Sequence, residues 1–286
     1  MALSNLKPNR STLSSALIKI YITFVFLQYH VNSQYSPSPS HQPKNTVSFT
    51  ILEFEKENPD IFLRGDASIS GGILRLTKTD QSGEPIQKSV GRATHLTPIH
   101  IWDKTSGKLA DFSTRFFFFV NTNGSELHGD GFAFYIGPLH FEVPKNSSGG
   151  YLGLFDPETA FDPSKNPIIA IEFDSFTNGW DPASPSQYPH IGIDVGSIDS
   201  VATVDWPVDF LPRNALGEAN INYNSESKRL SVFVNYPGSG RKATGVSFVV
   251  DLRSVLPEWV RVGFSAATGE LVEIHDIINW SFESSL

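Results

Sequence analysis

Residues 168–174 form a hydrophobic segment that nevertheless carries two carboxylates, Glu172 and Asp174. Side chains two residues apart in a β-strand point to the same face, so a strand here would bring both carboxylates together. Two buried like charges are costly unless a cation lies between them. The alternative is a polar turn, because Asp and Asn are common in turns, but a turn does not explain a carboxylate pair on a hydrophobic strand. The segment therefore predicts a strand that ends at a cation site.

More metal-ligating side chains follow this strand in the sequence. Asn178 and Asp181 lie in the polar stretch after it, and His190 begins the next hydrophobic segment. Oxygen ligands in number suit Ca²⁺, whereas carboxylates combined with an imidazole suit a transition ion such as Mn²⁺. We interpret the whole window as a double metal site, in which Asp174 and Asp181 are candidates to bridge both ions.

The rest of the chain predicts an all-β fold. Its 286 residues include 22 Phe, one Met and no Cys, and short alternating apolar runs are separated by turns that contain Gly or Pro. Only residues 252–256 predict a brief helical turn, which Pro257 limits. No repeat and no interior linker divides residues 46–286, so we predict one antiparallel β-sandwich. The predicted strands are residues 47–51, 67–70, 73–77, 93–96, 112–120, 131–136, 168–173, 190–195, 220–224, 229–234, 246–251, 260–267 and 277–283.

Charge and the N-terminal segment indicate the setting of the protein. A net charge of −8 argues against nucleic acid and anionic membrane surfaces as partners. Lys7 and Arg10 precede an apolar run, and the pattern over residues 1–33 is that of a signal peptide. The run is short for a membrane span, and an uncleaved signal anchor is the alternative. Residues 34–45, rich in Pro and Ser, predict a flexible lead-in. We expect a protein of the secretory pathway, extracellular or vacuolar.

A series of motifs then follows in order through residues 46–286. The series includes HGDGFAF at 128–134, GGYLGLF at 149–155, HIGIDV at 190–195, VLPEWVRVGFSAATG at 255–269 and WSF at 280–282. Together with the metal window, these motifs resemble the legume lectins, the plant L-type lectins. The resemblance implies a jelly-roll-like sandwich of a flat back sheet and a curved front sheet, with metals and sugar at one end. It also implies a carbohydrate-binding domain at 46–286 that is no enzyme.

The resemblance further implies how the window would hold its two ions. Mn²⁺ would take Glu172, Asp174, Asp181 and His190, with Ser200 reaching it through water. Ca²⁺ would take Asp174, the backbone carbonyl of Phe176, Asn178 and Asp181.

A sugar site needs a carboxylate acceptor, an amide, backbone N–H donors and an aromatic ring. Asp130 resembles the family's sugar-binding Asp, which follows a cis peptide bond; a plain Asp-Gly turn is the alternative. Asn178 would bind Ca²⁺ through its oxygen and a sugar hydroxyl through its NH₂. Gly150 would donate its backbone N–H, and its missing side chain would let the ligand approach.

Three more residues complete the implied sugar site. Phe176 would pack its ring on the apolar face of the sugar; the alternative is an ordinary core Phe. Glu270 and Leu271 would offer backbone N–H groups. Five residues separate Gly269 from His275, a spacing that resembles the mannose- and glucose-binding members. We therefore expect glycans of the mannose/glucose type.

Two other functions compete with that of a lectin. A glycoside hydrolase needs two carboxylates beside the scissile bond. The pattern Glu-x-Asp-x-x-Glu of one β-glucanase family begins at Glu172, but Thr177 stands at the position of the second Glu. A sugar-silent storage or defence protein on the same scaffold tends to lose the metal ligands or binding loops, which are present here.

The single-sugar affinity of such a shallow site would be weak, about 10⁻³–10⁻⁴ M. Multivalent binding would then supply the useful avidity, and the resemblance suggests a homodimer or homotetramer. Asn123 and Asn146 fit N-glycosylation sequons in predicted loops, whereas the sequon at Asn279 lies in a predicted strand.

Overall fold

The computed structural model describes residues 46–181, 189–206, 215–240 and 242–286. The predicted signal peptide and lead-in lie outside this part of the chain. The described residues form strands and two short 3₁₀ helices, Gly149–Tyr151 and Leu252–Ser254. The strands are β1 Thr46–Ile51, β2 Ile61–Gly65, β3 Ser68–Ser70, β4 Ile73–Arg75, β5 Val90–His95, β6 Ile99–His100, β7 Asp111–Asn121, β8 Gly131–Pro138, β9 Ile169–Asp174, β10 His190–Val195, β11 Ala202–Asp205, β12 Gly217–Asn224, β13 Arg229–Asn235, β14 Thr244–Val249, β15 Trp259–Ala267 and β16 Ile274–Ser285.

Two antiparallel sheets make up the sandwich, as the sequence predicted. The back sheet has the order β14-β13-β12-β7-β16-β4-β3, with β1 paired to β16, and the front sheet has the order β11-β10-β9-β8-β15-β5-β2, with β6 paired to β15. Every strand pair described in both sheets is antiparallel. Among the described residues no helix is long and apolar enough to cross a bilayer.

The core between the sheets is rich in aromatic rings. Phe116 and Phe118 of β7 contact Phe132 of β8 and Phe173 of β9, all with ring centroids 5.1–6.4 Å apart. A second apolar cluster lies on the other side of the front sheet, where Tyr135 of β8 meets apolar residues of the loops. Strands β8 and β9 are consequently buried on both faces, which explains why the segment before Asp174 reads as a continuous hydrophobic run.

Each predicted strand overlaps an observed one, but β2, β6 and β11 were not predicted. Strands β2 and β11 are the two edges of the front sheet, and their half-exposed side chains give no clean hydrophobic alternation. Strand β6 has two residues. The predicted helical turn is confirmed as the 3₁₀ helix Leu252–Ser254, where the Asp251 carboxylate accepts from the Arg253 backbone N–H.

Candidate functional site

The carboxylate pair and the imidazole lie together at neighbouring ends of β9 and β10. In the register of these strands His190 is opposite Asp174, and Gly192 is opposite Glu172. Nε2 of His190 lies 2.9 Å from Oε1 of Glu172. All three metal-ligating side chains are buried, Glu172 to 1% exposure, and their ligand atoms lie within 4.8 Å of one another. The predicted pair therefore faces one side of the sheet and meets the predicted histidine.

A third buried carboxylate, Asp194, joins this cluster and was not predicted. The Ser200 hydroxyl lies 2.6 Å from Oε1 of Glu172 and 2.6 Å from Oδ1 of Asp194. A Cβ atom on Gly192 would lie 2.0 Å from Oγ of Ser200, so only glycine fits between them. The sequence did carry a signal: His190, Gly192 and Asp194 alternate along β10, which places all three on one face.

The cluster holds more negative charge than its one imidazole can balance. Burial, followed by the charges of Glu172 and Asp181, raises the pKa of Asp174 well above its ordinary value. Burial also raises the pKa of Asp181 to about 6. Burial alone would lower the pKa of His190, but the hydrogen bond to Glu172 and the charges of Glu172, Asp181 and Asp205 together outweigh it, and the pKa rises. Such a site must bind protons or a cation, and its oxygen and imidazole donors fit a divalent cation.

The loop after β9 turns back toward this cluster. Oδ1 of Asp174 accepts from the Phe176 backbone N–H at 2.7 Å, and the Asp181 carboxylate accepts from the Asn178 backbone N–H. Oδ1 of Asn178 is buried and has no hydrogen-bond partner among the described residues. A buried acceptor without a donor is unfavourable, and a cation would satisfy it.

Asp130 lies on the neighbouring strand end, immediately before β8. The Gly129–Asp130 peptide bond is cis. The Asp130 carbonyl accepts from the Ser175 backbone N–H at 2.9 Å, and the Asp130 N–H donates to Ala267 at 3.2 Å. These partners are the first residue after β9 and the last residue of β15, so Asp130 is not in a plain Asp-Gly turn. Oδ2 of Asp130 is buried without a partner within the described chain. Burial, and next the charge of Glu273, raises the pKa of Asp130 to about 6.

Two glycines let the surrounding loops approach these acceptors closely. Gly150 belongs to the first 3₁₀ helix, and a Cβ atom there would lie 2.2 Å from Oδ1 of Asn178. A Cβ atom on Gly269 would lie 2.8 Å from Oδ2 of Asp130. The backbone N–H of Gly150 makes no hydrogen bond to another described residue. The predicted residues Asp130, Gly150 and Asn178 are thus brought together around one small space.

A fully buried arginine, Arg92, holds the loop that carries Gly150. Its Nη1 donates to the carbonyl of Phe141 at 3.0 Å, and its Nη2 donates to the carbonyl of Gly153. The Ser265 hydroxyl donates to the carbonyl of Leu152 at 2.7 Å. Burial lowers the pKa of Arg92 to about 10, so it remains charged at neutral pH. The Gly150 loop is therefore anchored at both ends by buried donors.

Phe176, Glu270 and Leu271 line the outer side of this space. Phe176 is 38% exposed, so it is not an ordinary core residue. If Gly129 carried a Cβ atom, that atom would lie 2.9 Å from Cβ of Phe176 and 3.7 Å from Cβ of Leu271. The Glu270 carboxylate lies 3.3 Å from Nζ of Lys88 and points into solvent. Across the described residues, the backbone N–H groups of Glu270 and Leu271 donate no hydrogen bond.

A second group of acidic and histidine side chains, His100, Asp103 and Glu258, lies near the start of β15, at the opposite end of that strand from Ala267. Its groups are already paired: Nε2 of His100 lies 3.1 Å from Glu258, and the Asp103 carboxylate accepts from the Ser106 N–H at 2.6 Å. We interpret it as a half-buried, hydrogen-bonded group.

A model of the legume lectin domain matches residues 46–286. Lectin 9 of Medicago truncatula is 79% identical over 277 residues, which cover 96% of this chain and 99% of that protein. The mannose/glucose-specific lectin of Centrolobium tomentosum is 42% identical over 248 residues, which cover 85% of this chain and 97% of that protein.

A solved structure has the same fold. The lectin from Bauhinia forficata in complex with GalNAc superimposes with a TM-score of 0.75 at 39% sequence identity, and the match covers 84% of this chain and 98% of that one.

Proposed function

This chain belongs to the legume lectin family, and on that premise we propose that it binds mannose- or glucose-type glycans with the help of Ca²⁺ and Mn²⁺ and catalyses no reaction. One observation carries the proposal: two buried acceptors without partners in the described chain, Oδ2 of Asp130 and Oδ1 of Asn178, flank the Gly149–Gly150 backbone. The first acceptor fits a sugar hydroxyl and the second fits a cation.

The carboxylate cluster would hold the two ions. Their charge would balance the buried carboxylates and fix the loop that carries Asn178. With its oxygen on Ca²⁺, Asn178 would keep its NH₂ group for a sugar hydroxyl. The ligands would be Glu172, Asp174, Asp181 and His190 for Mn²⁺, with Ser200 through water, and Asp174, the carbonyl of Phe176, Asn178 and Asp181 for Ca²⁺.

The remaining groups would orient the sugar. Asp130 would accept hydrogen bonds from two sugar hydroxyls, and the backbone N–H groups of Gly150, Glu270 and Leu271 would donate. The half-exposed ring of Phe176 would pack against the apolar face of the sugar. Glycoside hydrolysis needs a second carboxylate, and Thr177 has none to offer at the corresponding position.

Support for mannose or glucose comes from two sources. The loop between Gly269 and His275 is short, and the relative from Centrolobium tomentosum is named mannose/glucose-specific. The Bauhinia forficata lectin was solved with GalNAc, so galactose-type ligands belong in any test.

The setting that we propose is the secretory pathway, with a signal peptide over residues 1–33, a lead-in over 34–45 and a lectin domain over 46–286, assembled as a homodimer or homotetramer. N-glycans would be carried by Asn123 and Asn146, which are exposed, and not by Asn279, which is fully buried in β16. Extracellular space or vacuole is the expected destination.

A glycan array with and without EDTA tests this function. We expect binding to mannose-rich glycans that disappears on chelation and returns when Ca²⁺ and Mn²⁺ are restored. Binding that ignores chelation would contradict the role of the ions, and selective binding of galactose-type glycans would contradict the specificity. A metal-loaded protein that binds no glycan would instead be a sugar-silent storage or defence protein. Turnover of mannosides or β-glucans that vanishes in Glu172→Gln would indicate a hydrolase.

A further inference from the structure

A fully buried carboxylate, Glu273, lies behind Asp130 and is bonded to two imidazoles. Nδ1 of His128 lies 2.7 Å from its Oε2, and Nε2 of His275 lies 2.9 Å from its Oε1. An ionised carboxylate only accepts, so each of these nitrogens carries a proton. Burial alone would raise the pKa of Glu273, but the hydrogen bonds from His128 and His275 hold it at about 2. Glu273 is therefore ionised, although its side chain is 0% exposed.

A third donor connects this carboxylate to Asp130. The Ser175 hydroxyl contacts Oε1 of Glu273 and lies 2.9 Å from the carbonyl of Asp130. It has one proton, so it donates to one of the two at a time. The Ser175 backbone N–H donates to the same Asp130 carbonyl at 2.9 Å in either case. The main chain of Asp130 is thus held by a residue that Glu273 holds.

The four polar side chains come from the segments that carry the proposed sugar site. His128 is two residues before Asp130, and Ser175 lies directly between Asp174 and Phe176. Glu273 immediately precedes β16 and His275 is its second residue, just after the Glu270–Leu271 loop. Segments that are distant in the sequence therefore contact the same carboxylate, that of Glu273.

Electrostatics does not explain why a charge is placed here. The negative charge of Glu273 is the next cause, after burial, of the raised pKa of Asp130, and so it works against the ionised form that a sugar hydroxyl needs. Well-packed apolar residues often replace a buried ionic group without loss of stability. What the carboxylate supplies is geometry, because its two oxygens accept from three donors on separate segments.

We propose that Glu273 is a positioning residue of the carbohydrate site: through His128 and Ser175 it fixes the main chain of Asp130, so that the Asp130 carboxylate faces the incoming sugar hydroxyls. This inference rests on the proposed carbohydrate-binding function. It assigns to His128, Ser175 and Glu273 a role in sugar affinity without any contact to the sugar.

The test is calorimetry of methyl α-mannoside, or of methyl α-galactoside if the array shows that type, on full-length protein saturated with Ca²⁺ and Mn²⁺. Glu273→Gln keeps the shape of the side chain but loses one acceptor, and His128→Ala removes one donor. We expect each to weaken sugar affinity by about tenfold, with unchanged binding of both ions. His128→Asn restores an N–H donor and should recover affinity to within about threefold of the unmodified protein.

Tyr223→Phe is the matched control, because its buried hydroxyl donates to Val250 at 3.0 Å on the back sheet. It loses a comparable hydrogen bond far from the site and should leave sugar affinity unchanged.

Three results would overturn the inference. The first is a sugar affinity in folded, metal-loaded His128→Ala and Glu273→Gln proteins that equals that of the unsubstituted protein. The second is an equal loss in Tyr223→Phe, which would mean that general destabilisation is the cause. The third is no rescue by Asn at position 128. If Glu273→Gln fails to fold, the two His128 variants decide. An unmodified protein that binds none of the array glycans would overturn the proposed function itself, and this inference with it.

Discussion

A Cβ atom on Gly150 would lie 2.2 Å from Oδ1 of Asn178. The backbone of the loop that carries Gly150 therefore packs directly against the amide of Asn178, with no room for a side chain between them. Any side chain at position 150 must displace Asn178, which is the residue that we propose to connect the ion to the sugar.

Gly150→Ala should therefore reduce sugar affinity by at least about tenfold while the sandwich stays folded. Calorimetry with the sugar and thermal unfolding measure the two properties separately. Gly179→Ala is the control, because a Cβ atom there meets nothing within 4 Å. Equal affinity in both variants would show that Asn178 does not need its present position.

Asp130→Asn should abolish detectable sugar binding and leave the fold and the metal ions in place. The change keeps the size of the side chain but replaces one acceptor oxygen with an NH₂ donor, at the atom that has no partner in the described chain. Asn178→Ala should have the same effect on sugar binding. Retained affinity in Asp130→Asn, measured on the same array, would remove Asp130 from the site.

Sugar affinity should fall as the pH is lowered through about 6. Burial and the charge of Glu273 raise the pKa of Asp130 to about 6, and only the ionised carboxylate accepts from two hydroxyls. Binding is then complete above this pH and is lost below it. Calorimetry at several pH values tests this, with metal content measured at each, since protonation of Asp174 and Asp181 also releases cations. Constant affinity at full metal occupancy down to about pH 4.5 would contradict it.

Removal of the ions should make stability depend on pH in an unusual direction. The folded state raises the pKa of Asp181 from 3.8 to about 6 and raises those of Asp174 and Asp194 further above their ordinary values. These three carboxyl groups thus bind more protons in the folded metal-free protein than in the unfolded chain, so their contribution to the free energy of unfolding falls as the pH rises from about 4 through 6.

Urea unfolding of EDTA-treated protein measures this slope. Restoring the ions at one hundred times their dissociation constants should add about 2.7 kcal/mol for each ion and remove most of the pH dependence. A metal-free protein that gains stability between these pH values would show that the carboxylates do not repel one another as described.

Arg92→Ala should destabilise the protein by about 3 kcal/mol or more, because it leaves buried carbonyls of Phe141 and Gly153 without a donor and opens a cavity. Arg64→Ala is the control: Arg64 is at the surface, where its Nη2 donates to Glu142 at 2.7 Å, and such a pair contributes about 0–1 kcal/mol. Urea unfolding of both variants decides, and equal losses would mean that burial of Arg92 has no special role.

Much of this site was predictable because its residues are close in sequence or recur in motifs. Alternation places Glu172 and Asp174 on one face of β9, and the pairing of β9 with β10 brings His190 beside them. The same rule places Asp194 on one face of β10 with His190 and Gly192. The network of His128, Ser175 and Glu273 could not be predicted, since its members are distant in sequence and meet only through the order of strands in both sheets.

The edge strands β2 and β11 escaped prediction for a different physical reason. An edge strand is half exposed, and its side chains need not alternate in polarity. Strand β16, by contrast, proved longer than predicted, because it pairs with β1, β4 and β7 and each partner extends the hydrogen-bonded length.

This central place of β16 determines when the protein can fold. The ribosome releases β1, β4 and β7 before β16, the strand with which all three pair, so none of them can complete its hydrogen bonding until β16 has been synthesised. The back sheet can be completed only after that step. Folds dominated by such non-local pairing form slowly, and strands that are still unpaired are prone to aggregate. The yield of folded protein in any host will accordingly depend on chaperones that bind the unpaired strands until β16 is available.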